Sequence, residues 1–135
     1  MTSRVSVSKE SRRLKYELIY RVFESNVART GKAEDWPEMV KEFHFCPDRK
    51  WRADYAFPND KLLIEIEGGV WSGGRHFRGV GAIKDMEKYN EATVLGYHLV
   101  RFTPEQIKGI MAIRTIKRWF DNKRGITSKN ESLFP

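Results

Sequence analysis

The chain has 135 residues, 40% of them hydrophobic, which is material for one core and one domain over residues 1–135 rather than two. Its net charge of +7 and pI near 9.6 point towards a polyanionic partner, while the single cysteine, Cys46, excludes an internal disulfide and a cysteine-rich zinc site and fits a reducing cytosol. No apolar run approaches the roughly 20 residues that span a bilayer, and the N-terminus lacks the apolar core of a signal peptide, so a cytoplasmic protein without membrane contact is expected.

Residues 1–8 are polar and read as a frayed start, and a helix is predicted from just after Ser8 or Ser11 to about Arg29-Thr30-Gly31. Leu14, Leu18 and Val22 recur at i, i+4 and i+8 and define its expected inner face, widened by Ile19 and Phe23. At ~100° per residue Glu17 falls about 60° from Leu14, where it either looks along a sheet or pairs with Arg13 or Arg21. Asp35-Trp36-Pro37 marks a boundary, because the residue before a proline is pushed out of the helical region. Glu42-Phe43-His44-Phe45 alternates as a strand and ends at Cys46-Pro47-Asp48. His44 and Cys46 share a face two residues apart, but with no second ligand pair they read as ordinary strand residues.

The centre of the chain is more informative. Trp51 to Phe57 alternates, with Ala53, Tyr55 and Phe57 opposite Arg52 and Asp54, and Leu62 to Glu67 sets Ile64 and Ile66 opposite Glu65 and Glu67. Pro58-Asn59-Asp60-Lys61 is turn chemistry, so the two segments predict an antiparallel hairpin in which Phe57 pairs with Leu62 and Asp54 faces Glu65. Two carboxylates with Cβ atoms roughly 5 Å apart repel, and a divalent cation is the simplest charge to place between them. Residues 31–70 hold six basic and nine acidic side chains, a net of −3, so the basic excess lies in the flanks of an acidic centre.

From Gly68 to Gly81 six glycines surround Trp71, Arg75, His76 and Arg78, a loop with stacking and phosphate-binding groups but no nucleotide-binding glycine signature. A helix over about 82–95 follows, with Ala82, Ile83, Met86, Tyr89, Thr93 and Val94 on one broad face and Gly96 closing it. At its edge Asp85 and Lys88 are spaced as an i, i+3 ion pair, and Lys84 is a further basic group for a phosphate backbone. Tyr97 to Phe102 is the next strand. Thr103-Pro104 then opens a last basic helix, about 104–124, in which Ile113, Ile116, Trp119 and Phe120 face inwards and Arg114, Lys117 and Arg118 outwards as a phosphate-tracking surface. Residues 125–135 read as a flexible tail.

Asp54, a ten-residue gap and then Glu65-Ile66-Glu67 resembles the D…(D/E)-x-K core of the PD-(D/E)XK nuclease superfamily, and the predicted order, helix, three strands, helix, strand, is that superfamily's αβββαβ core over residues 9–103. The run R-A-D-Y-A-F…L-L-I-E-I-E-G-G, followed by a helix and G-Y-H-L-V-R-F-T, is most similar to small very-short-patch-repair-like endonucleases and to phage Holliday-junction-resolvase-like enzymes. The resemblance implies an α/β, restriction-endonuclease-like fold with a mixed sheet flanked by helices. It implies Mg²⁺-dependent cleavage of DNA, with Mn²⁺ able to substitute, on branched or mismatched structures; DNA is the expected partner, and whether the chain pairs as a homodimer is left open. Asp54 and Glu65 would be metal ligands and Glu17 the helix acid, with Asp85 and Tyr89 at helix positions where relatives place polar active-site groups. Glu67 departs from the pattern, standing where the family carries lysine. Either it forms a cross-strand ion pair with Arg52, or it holds a second ion or a water while Lys88 or His76 supplies the missing charge; a nuclease-fold protein that binds nucleic acid without cutting is the alternative.

Overall fold

The computed structural model describes residues 2–68 and 80–126, with side chains for all of these except 2–8 and 80. In chain order the elements are helix α1 (Thr2–Glu34), strands β1 (Val40–His44), β2 (Arg52–Phe57) and β3 (Leu62–Ile66), helix α2 (Val80–Val94), strand β4 (His98–Phe102), and helices α3 (Pro104–Lys108) and α4 (Met111–Lys123). The predicted αβββαβ succession is therefore the observed one. The Gly-rich stretch from Gly69 to Gly79, with Trp71, Arg75, His76 and Arg78, and the tail beyond Ile126 lie outside the described residues.

Leu62-Leu63-Ile64 offers no polar side to solvent, and a strand of that kind must be covered on both faces. β3 accordingly lies inside a four-stranded sheet of order β1-β2-β3-β4, antiparallel from β1 to β3 and parallel between β3 and β4. On one face Tyr55, Phe57, Leu62, Ile64 and Phe102 pack with Ile19, Phe23 and Val27 of α1 and with Ile107, Ile116 and Phe120 of α3 and α4. On the other, Ala53, Ala56 and Leu63 pack with Phe45, Cys46 and Ala92 of α2. The α/β class read from the sequence is correct, with a mixed sheet between helical layers.

α1 differs from its prediction in extent and in face. Leu14, Leu18 and Val22 are 54%, 61% and 42% exposed, and the neighbouring i, i+4, i+8 set of Ile19, Phe23 and Val27 is the buried one. A 33-residue helix is about 50 Å long whereas five- or six-residue strands span about 17–20 Å, so the sheet covers only part of it. Its end is a Schellman closure: Asp35 turns left-handed at φ 58°, and the Trp36 N–H donates to the Gly31 carbonyl at 2.8 Å. Gly31 lies within the helix rather than ending it, and Trp36 packs over it, so that an added Cβ would lie 3.4 Å from the Trp36 side chain. In α2, likewise, Ile83, Met86 and Val94 are exposed and the inward side is formed by Lys88, Tyr89 and Ala92. The single C-terminal helix expected over 104–124 is two helices, α3 and α4, broken at Gly109-Ile110 where Gly109 is extended. Thr103 caps α3 as predicted, accepting from the Gln106 N–H, with Pro104 in its first turn.

Candidate active site

The hairpin register is the predicted one, Phe57 opposite Leu62 and Tyr55 opposite Ile64, but the ladder stops there, so the expected cross-strand pair of Asp54 with Glu65 is not made and Glu65 is in register with Arg101 of β4. β3 instead stays with β4, pairing Ile66 with Phe102, and the Glu67 N–H donates to the Phe102 carbonyl at 2.7 Å. The two hairpin strands therefore diverge at the level of Asp54. The Asp54 carboxylate takes over the acceptor role of the missing β2 carbonyl, receiving the Ile66 N–H at 2.7 Å through Oδ2. Its other oxygen, Oδ1, has no donor among the described residues. Burial raises the Asp54 pKa, and the Ile66 N–H and the Lys88 charge oppose that rise.

Glu65 lies across the split on the α2 side of the sheet, buried, with Lys88 Nζ 2.8 Å from its Oε1. Burial is the chief reason that its pKa is pushed up to about 7; Asp54 and Glu67 push the same way, and the Lys88 hydrogen bond and charge oppose them. Lys88 thus reaches Glu65 and not Asp85, the partner expected from i, i+3 spacing. Glu67 Oε1 accepts from Tyr89 Oη at 3.0 Å and from Arg101 Nε at 2.8 Å, and the Arg101 guanidinium sits 4.6 Å above the Tyr89 ring. Tyr89 is kept protonated by burial and by that bond to Glu67.

The Arg52–Glu67 pair anticipated from register does not form. Because β2 and β3 part at Asp54, two further residues cannot pair; Arg52 meets Glu42 at 3.6 Å, and Glu67 turns to β4 and α2. Glu17 shares a cavity wall with Asp54 but does not complete a three-acid site: its half-exposed carboxylate lies 4.0 Å from Arg13. Among the described residues no three His, Cys, Asp or Glu side chains gather tightly enough to hold a metal ion. Asp54 and Glu65, two carboxylates each with one oxygen engaged by protein and one without a donor among the described residues, fit Mg²⁺, which takes one or two carboxylates and keeps most of its waters.

Of the proposed phosphate contacts, Lys84, Arg114 and Arg118 are exposed. Lys117 is not free for one, since it bonds Asp121 at 2.7 Å and lies 3.6 Å from Glu34, tying α4 to the end of α1. His44 donates a ring N–H to the Arg49 carbonyl and Cys46 is buried, in keeping with ordinary strand and turn roles. Arg101 went unassigned in the sequence, although a charge inside Leu99-Val100-Arg101-Phe102 is a signal: the parallel register sets it beside Glu65. The Tyr55 hydroxyl bond to Glu24 at 2.7 Å, with Lys41 3.3 Å from the same carboxylate, joins residues too distant in sequence for any local pattern to show.

Compared with known proteins, the chain matches no family model, no curated protein and no solved structure. No helix of the described residues is long and apolar enough to cross a membrane.

Proposed function

We propose that this chain is a Mg²⁺-dependent DNA endonuclease with a restriction-endonuclease-like core, hydrolysing phosphodiester bonds at the mouth of the β2–β3 split, on branched or mismatched DNA. The observation that carries this reading is the 2.8 Å contact between Lys88 and Glu65 beside Asp54. The charge missing at Glu67, where the resembled motif has lysine, is delivered from α2 instead. Asp54 and Glu65 would hold the cation, which when bound stabilises charge on the phosphate and acidifies a water. Lys88 places an ammonium where negative charge develops on the phosphate oxygens, and removal of one such preorganised group typically costs 10²–10³ in turnover. Tyr89 and Arg101 hold Glu67 to β4 and α2, which positions the turn of helix carrying Lys88.

The test is nicking of supercoiled plasmid with Mg²⁺, with Mn²⁺ and with EDTA. Asp54→Asn and Glu65→Gln should abolish nicking while DNA binding in EDTA stays intact or strengthens, because each removes a negative charge facing the phosphate. Cleavage at the wild-type rate by either variant would overturn the proposal. A second reading, binding of DNA without cutting, is favoured by one feature: Glu65 with Lys88 and Glu67 with Arg101 and Tyr89 are internally paired without any cation. It predicts binding that Mg²⁺ does not alter and no nicking under any of the three conditions.

A further inference from the structure

Beside the split, a cavity of about 300 Å³ opens between α1 and the β1–β2 side of the sheet, with Asp54 in its wall. Glu17, Tyr20, Arg21 and Glu24 enter that wall at i, i+3, i+4 and i+7, the spacing of one helix flank. At one end the cavity is self-satisfied: Tyr55 donates to Glu24, and Lys41 lies 3.3 Å from the same carboxylate. The other end is open for business with a ligand of mixed polarity. Among the described residues Glu17 has only Arg13, at 4.0 Å, and Arg21 pairs with no carboxylate; Tyr20, half-buried and packed in part against the core, shares the cavity wall with them. With Glu42 and Asp54 the lining holds four carboxylates against two cations, Arg21 and Lys41. Such a balance repels a phosphate but suits a neutral ring that carries N–H donors.

We propose that this cavity takes a nucleobase extruded from the strand next to the phosphate at Asp54 and Glu65, with Tyr20 as its stacking surface. Glu17 accepts from the exocyclic amino group and Arg21 donates to a ring nitrogen or carbonyl. The assignment rests on the nuclease reading above and names the place in the fold, the α1 flank facing Asp54, where an unpaired base beside the cleavage position is read. Such a base has already lost its pairing, so its extrusion costs least. The surplus of acceptors favours adenine, cytosine and guanine over thymine, which has no amino group.

The experiment uses the full chain and short duplexes carrying one 2-aminopurine opposite an abasic site, titrated in EDTA, with fully paired and unpaired-thymine duplexes as competitors. Binding should change the 2-aminopurine fluorescence, and the unpaired amino-bearing base should win over both competitors. Tyr20→Ala should lower affinity for that duplex by roughly 5- to 150-fold, the range expected for one stacked base, while affinity for the paired duplex is unchanged. Tyr20→Phe should retain the preference, and Arg21→Gln should reduce it; melting curves verify that each variant is folded. Equal affinity for paired and unpaired duplexes, or a preference that survives Tyr20→Ala, overturns the base pocket. Plasmid nicking with Mg²⁺ is scored separately. Nicking without base preference removes the pocket and keeps the nuclease, and base preference without nicking does the reverse.

Discussion

Lys88 and Glu65 form the pair on which the proposed chemistry turns, and each supports a measurement. If the Lys88 ammonium stabilises developing charge, Lys88→Met should lower turnover by roughly 10²–10³ with DNA affinity little changed. A purely structural role would show instead as a lower melting temperature with normal turnover, since the variant leaves a buried carboxylate beside Asp54 and Glu67 without its partner. Glu65 also makes the site sensitive to pH. Its carboxyl holds a proton up to about pH 7 in the folded chain, against an ordinary value of 4.5, so between those values the native state binds more protons than the unfolded state. The sign follows: this group's contribution to the stability of the metal-free protein falls as pH rises from about 4.5 to about 7. Urea denaturation of wild type relative to Glu65→Gln should show that decline and a plateau above it. Cation binding needs the ionised form, so Mn²⁺ affinity should rise over the same interval with release of a proton, and calorimetry in two buffers of different ionisation enthalpy measures it.

At the scale of elements, α1 shows how a repeat can be read correctly and its face wrongly. Two i, i+4, i+8 sets lie side by side on that helix, and the one carrying Phe23 is buried against Tyr55 in edge-to-face contact at 5.4 Å. Phe23→Ala should therefore cost about 3–5 kcal/mol, whereas Leu18→Ala, on the exposed stripe, should change stability by less than about 0.5 kcal/mol. Chemical denaturation of both variants checks the assignment, and equal losses would contradict it. Local chemistry was a better guide at α3, where Thr103 and Gln106 complete a reciprocal capping box. Thr103→Ala should cost about 1 kcal/mol in the same assay. The hairpin obeyed its register only as far as Tyr55. Beyond that point β3 serves two neighbours, and its partnership with β4 opens the gap in which Asp54 sits.

Over the whole molecule, the split end of the sheet and the start of α4 lie together. β4 runs parallel to β3, so Phe102 ends beside Ile66, and the chain passes through α3 into α4, which returns towards the hairpin turn where Lys123 bonds Asp60 at 2.7 Å. Arg114, near the start of α4, is thus the basic residue of that helix closest to the proposed cleavage point, Arg118 is farther along, and Lys117 is held by Glu34 and Asp121. Each phosphate contact contributes ~0.9 to the slope of log K against log salt. Arg114→Gln should reduce the slope by about that amount, and Lys117→Gln should leave it unchanged while lowering the melting temperature. A slope unaffected by removal of both Arg114 and Arg118 would place DNA away from α4.

Sequence periodicity by itself determined the αβββαβ succession, the β2–β3 register from Phe57 to Tyr55 and the capped start of α3, because these depend on spacings within a turn of helix or a hairpin. The tertiary structure decided which stripe of α1 is buried, that Lys88 bonds Glu65 and not Asp85, that Glu67 belongs to Arg101 and Tyr89, and that Glu17 shares a cavity wall with Asp54 while its carboxylate lies 4.0 Å from Arg13. Those contacts join residues 22 to 34 positions apart in the chain, or depend on a helix rotation that core packing selects between two nearly equivalent faces. Neither the point where β3 leaves β2 for β4 nor the reach of α2 across the sheet has any local signature, since both are set by how much apolar surface the assembled layers can bury together.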